Sequence, residues 1–97
     1  MPKAYWISSY DAIHDPDKLK AYAEAASPVL AEHGDRVLAR GGASATFEGN
    51  EKLRVVVIEF PSMEAAEACY ASPGYKAAHA LLGDGAERDL FAVEGVD

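Results

Sequence analysis

A chain of 97 residues that is 49% apolar and 26% charged is a single folded domain. It is too apolar to be disordered, and too small to hide more than about 60–65% of the surface its unfolded chain would expose. A net charge of −7 with nine scattered basic residues argues against nucleic acid and against an anionic membrane surface, since both reward clustered Lys and Arg. One cysteine, Cys69, leaves no internal disulfide or cysteine-rich metal site, and no signal-peptide core or run of ~18 apolar residues occurs, so a cytoplasmic location is expected.

Lys3 to Tyr10 reads as a first strand, central in its sheet because both alternating faces carry apolar groups. Asp15-Pro16 starts a helix, with Asp15 as N-cap and Pro16 where a missing N–H costs nothing. Leu19, Tyr22, Ala23, Ala26, Leu30 and His33 share one stripe of that helix, Ser27-Pro28 kinks or restarts it, and Gly34 ends it. Arg36 to Phe47 reads as a second strand with a bulge at Gly41-Gly42, and Leu53 to Phe60 as a third, hairpin-paired with the second. Pro61-Ser62 caps a helix from Met63 to about Tyr70, Ser72-Pro73 restarts the chain as a short helix through about Leu82, and Asp89 to Glu94 supplies a last strand.

The order β-α-β-β-α-β is the split βαβ pattern of ferredoxin-like α+β domains, with both helical segments on one face of a four-stranded antiparallel sheet. In the third strand Val56, Ile58 and Phe60 point one way and Val55, Val57 and Glu59 the other, so the uncovered face is also apolar. Leaving ~400 Å² of apolar sheet in water forfeits roughly 10 kcal/mol, comparable to a domain's whole net stability. A homodimer packed through its sheet faces is the expected remedy.

Five runs carry a family resemblance: His33-Gly34, Leu38 to Gly42, Val57 to Ser62, Cys69 to Tyr75, and Val93 to Val96. In order and spacing they resemble the family catalogued as domain of unknown function 1330, within the dimeric α/β-barrel superfamily, over nearly the whole chain. A tryptophan would be more usual where Cys69 stands. The resemblance implies two ferredoxin-like chains whose sheets face each other as a barrel. It implies no single activity, because relatives of this fold include cofactor-free monooxygenases, lactone isomerases, haem enzymes, stress-response barrels and ligand-sensing domains.

Glu59 and His33 are the candidate catalytic residues. Glu59 ends an almost wholly apolar strand, where burial would tune a carboxylate toward general-base work and a nearby Arg would hold it ionised; Arg40, on the hairpin partner strand, could be that Arg. The alternatives are a structural Arg40–Glu59 pair, or a Glu59 that reaches solvent. His33, at the last turn of the first helix, is either a cap or a proton carrier. His79 shares a face with Tyr75, and His14 lies in a loop. Arg40, Tyr70, Tyr75, Trp6 and Tyr10 are candidates for binding a flat or carboxylated molecule, with ordinary core packing as the competing role for the aromatic rings. No histidine spacing suggests a metal site, and no cofactor is expected. Two functions fit: a homodimer binding a small aromatic or carboxylated metabolite between sheet and helices, equipped as a cofactor-free isomerase or monooxygenase, or a non-catalytic dimeric module for stress response or protein interaction.

Overall fold

The computed structural model describes residues 2–96. Four strands, β1 (Ala4–Ile13), β2 (Arg36–Arg40), β3 (Arg54–Phe60) and β4 (Ala86–Glu94), form one antiparallel sheet in the order β2-β3-β1-β4. Three helices, α1 (Pro16–Glu32), α2 (Met63–Ala71) and α3 (Pro73–Leu82), complete the ferredoxin-like α+β architecture. Trp6, Ile58, Phe60, Ala66, Tyr75 and Leu82 anchor the core between the helices and one sheet face. None of the described helices is long and apolar enough to cross a membrane.

The helix starts follow the expected chemistry. Asp15 accepts hydrogen bonds from the backbone N–H groups of Asp17 and Lys18, and Ser62 accepts one from Ala65. Ser72 closes one helix and opens the next: its hydroxyl donates to the Cys69 carbonyl at 2.7 Å and accepts from the Tyr75 N–H at 3.2 Å. With Pro73 fixing the first turn of α3, Tyr75 is aimed into the core.

Three expectations are corrected. Pro28 does not restart the chain as a second helix, since one helix runs through it to Glu32. The second strand stops at Arg40 instead of Phe47, because Gly41 turns the chain with φ +65°, and residues 41–53 are an irregular exposed connection. The extra residue also lies elsewhere: Val37 pairs with Ile58 and Ala39 with Val57, so the register shifts across Leu38 and not at the glycines. That shift decides a side-chain direction. Without it, strict alternation from Val37 would put Arg40 opposite Val55 on the uncovered face; with it, Arg40 pairs with Val56 and joins the helix-covered face.

Candidate functional site

Between α1 and the covered sheet face lies a cavity of about 590 Å³. Its floor is made by alternate residues of the central strands, among them Trp6, Ser8 and Tyr10 of β1 and Val56 and Ile58 of β3, with the α1 stripe of Leu19, Tyr22, Ala26 and Leu30 as its roof. The same 3.6-residue spacing that buries this stripe places the Tyr22 hydroxyl over the sheet.

Arg88 of β4 organises one end. Its Nη1 donates to the hydroxyls of Tyr10 at 3.1 Å and Tyr22 at 3.3 Å, and its Nη2 donates to Tyr75 at 3.1 Å. Its Cζ also sits 4.7 Å from the centre of the Tyr22 ring, a cation–π contact. The phenol oxygens of Tyr22 and Tyr75 are 2.7 Å apart. Tyr75 is 1% exposed, and Tyr22 is the sole acceptor within reach of its proton among the described residues. The buried phenol therefore donates to Tyr22, which leaves the hydroxyl protons of Tyr22 and Tyr10 free to serve a cavity both residues line. Burial, then the neighbouring Tyr22, pushes the Tyr75 pKa up while Arg88 pulls it down, so Tyr75 stays a neutral phenol.

The cavity's charge is opposite to the protein's. Three of the chain's four arginines, Arg40, Arg54 and Arg88, line it together with Lys20, whereas Asp35 is its one acidic wall residue. Among the described residues no carboxylate forms an ion pair with any of the three arginines. Arg54 Nε is buried without a hydrogen-bond partner. The cavity thus brings together three guanidinium groups without carboxylate partners and two phenol hydroxyls, donors of the kind that bind oxyanions.

The candidate residues fare unevenly. Trp6, Tyr10 and Arg40 line the cavity, and Tyr75 supports it from beneath. Tyr70 is half exposed and lines a separate groove with Trp6, Ala66 and Phe91. Glu59 lies on the opposite sheet face, where it pairs with Lys3 Nζ at 3.4 Å. The Arg40–Glu59 pair does not form, because the register shift turns Arg40 away and Glu59 faces Arg36 across the strands. His33 is also outside the cavity: it caps α1, and its Nδ1–H donates to the Val29 carbonyl at 2.9 Å. His79 stacks on the Tyr75 ring at 6.2 Å, and His14 meets Glu87 at 2.6 Å on the surface. Arg88, Arg54 and Tyr22 were not among the candidates. Extending the alternation of Leu90 and Ala92 back by one step points to Arg88, and the step before Val56 points to Arg54.

Fold and site define a ferredoxin-like α+β protein with a cationic, phenol-lined cavity between sheet and helix. The chain belongs to the family described as Domain of unknown function (DUF1330), whose model matches residues 3–96. None of the curated proteins matches its sequence. Among solved structures it is similar to a protein of unknown function from Rhodopseudomonas palustris, with a TM-score of 0.81, 15% identity, and coverage of 99% of this chain and 84% of that one. SnoaB, a cofactor-independent oxygenase from Streptomyces nogalater, superposes with a TM-score of 0.69 at 10% identity, covering 100% of this chain and 96% of that one. A dimeric ferredoxin-like protein of unknown function from Bacteroides fragilis gives 0.60 at 18% identity, with 96% of each chain covered. At these identities the likeness shows a shared fold.

Proposed function

We propose that the protein is a homodimer, packed through its uncovered sheet face, that binds a small aromatic or carboxylated metabolite in the cavity between the sheet and α1. The observation that carries the binding reading is Arg88, a partly buried cation held by three phenol oxygens and lacking an anionic partner among the described residues. A guanidinium held this way gains most when a carboxylate or other oxyanion arrives. Arg88 with the Tyr10 and Tyr22 protons would grip that group, while Trp6, Val56 and Leu30 offer apolar walls for its body.

The dimer reading rests on Val55, Val57 and Ile7 of the uncovered face and on Phe91 and Val93, each about half exposed there. It agrees with the dimeric relatives of the same fold.

For catalysis the equipment is that of a cofactor-free isomerase or monooxygenase, in that polarised hydroxyls stabilise an oxyanion such as an enolate. SnoaB, which shares the fold, is a cofactor-independent oxygenase. Glu59 and His33 are unsuited as the base, since neither reaches the cavity.

Native mass spectrometry of the purified protein, with mild denaturation to release bound molecules, tests it. A dimer carrying a discrete small molecule that Arg88→Gln no longer retains supports the reading. A dimer that carries nothing, and that no added aromatic or carboxylic acid stabilises against heat, points instead to the non-catalytic module.

A further inference from the structure

Arg54, Tyr10 and Arg88 lie in one row across β3, β1 and β4, because Tyr10 is the register partner of both arginines. Strands are spaced by about 4.8 Å, so the two arginines rise from the covered face roughly 9–10 Å apart with Tyr10 between them. Arg88 is engaged by three phenols. Arg54, in contrast, makes no side-chain hydrogen bond or ion pair among the described residues, and its Nε is buried unpartnered. Arg40 stands beside it, since its register partner Val56 is two residues along the same strand and faces the same way. Gly41 provides the bed for this second group: a Cβ at Gly41 would lie 2.9 Å from Arg54 Nη1 and 3.0 Å from its Cζ, so the guanidinium rests against bare backbone.

We infer that the cavity has two anion subsites and that its ligand is a small organic dianion of the dicarboxylic acid class, with one carboxylate on Arg88, Tyr10 and Tyr22 and the other on Arg54 and Arg40. This rests on the anion-binding reading above and sharpens it. One carboxylate would satisfy the Arg88 end and leave the buried Arg54 Nε without a partner, with the exposed Arg40 beside it and a single acid, Asp35, in the wall. A second carboxylate at a span of about two strands balances both ends, and the planar forks of Arg54 and Arg40 suit such a group.

Isothermal titration at fixed ionic strength with two matched pairs, benzene-1,3-dicarboxylate against benzoate and glutarate against butyrate, separates the possibilities. At least one diacid should bind at least tenfold more tightly than its monoacid, and Arg54→Gln should cut that preference below threefold. Diacid and monoacid binding equally, with both lost in Arg88→Gln, would overturn the two-subsite inference and leave the anion cavity standing. No binding of any of the four acids to protein with a native circular dichroism spectrum would overturn both.

Discussion

Tyr22 and Tyr75 meet through their phenol oxygens at 2.7 Å, one ring lining the cavity and the other sealed in the core. The direction of the shared proton has an unequal consequence for the two residues. Tyr22→Phe leaves the buried Tyr75 O–H with no acceptor, whereas Tyr75→Phe leaves a Tyr22 hydroxyl that cavity water can satisfy. Tyr22→Phe should cost about 1–3 kcal/mol by urea unfolding, Tyr75→Phe about 0.5–1.5 kcal/mol, and the double variant less than the sum of the two. The opposite ranking would mean that Tyr22 is the donor.

Gly41 and Gly42 are adjacent, yet their alanine variants should behave differently. At Gly41 the backbone has φ +65° and a Cβ would press on Arg54; at Gly42 a Cβ meets nothing within 4 Å. Gly41→Ala should cost about 1–2 kcal/mol and weaken benzene-1,3-dicarboxylate binding by displacing Arg54, while Gly42→Ala should stay within about 0.5 kcal/mol of the parent. Equal effects in denaturation and titration would mean that Arg54 does not depend on the bare backbone beneath it.

Much of the fold was legible in the chain because local signals agreed: Asp15-Pro16, Ser62 and Ser72-Pro73 mark helix starts, and β3 is apolar on both faces. The site was less so, for three separable physical reasons. The one-residue shift at Leu38, which sends Arg40 to the cavity and away from Glu59, is set by pairing between distant residues and leaves no composition signal. Arg88 sits in the run Glu87-Arg88-Asp89, which reads as a solvated turn until the β1–β4 ladder is seen to reach Ala86. Tyr22 belonged to an apolar helical stripe, where a ring is ordinary core, and its hydroxyl gains meaning only from Arg88 and Tyr75 on other elements.

Alkaline pH should be the weak side of the fold. Burial first, and Asp35 second, pushes the Cys69 thiol up to about 11 from an ordinary 9.0, and Tyr75 is pushed up from 10.0. An acid whose folded pKa is raised holds its proton after the unfolded chain has released its own, so the unfolded state binds fewer protons and stability falls as pH rises. The Cys69 contribution, about 2–3 kcal/mol, is whole below pH 9 and lost between about 9 and 11, with Tyr75 adding to the fall above pH 10. Urea midpoints at pH 7, 9 and 10.5 should drop steeply only at the last step, and Cys69→Ala should flatten part of it. A midpoint constant to pH 10.5 would contradict the buried-thiol account. At pH 8 the native thiol should resist modification by aromatic disulfide reagents until the chain unfolds.

The uncovered sheet face supplies the last test. Val57 sits on the second-from-edge strand with Ile7 as its register partner, and Ile7 in turn pairs with Phe91, so the three apolar residues form a continuous row across β3, β1 and β4. Phe91 is 51% exposed in the single chain, a large apolar side chain on an open sheet that a second copy would cover. A lysine in this row would be stranded without a partner in a packed sheet-to-sheet interface, at a cost of several kcal/mol, yet would be harmless on a wet face. Sedimentation equilibrium should therefore return a dimer for the parent chain and a monomer for both Val57→Lys and Phe91→Lys. The parent's thermal midpoint should rise with protein concentration, as it must when folding and association are linked, and that dependence should vanish in the lysine variants. If the parent sediments as a monomer, or the lysine variants remain dimeric, the partner surface is not this row.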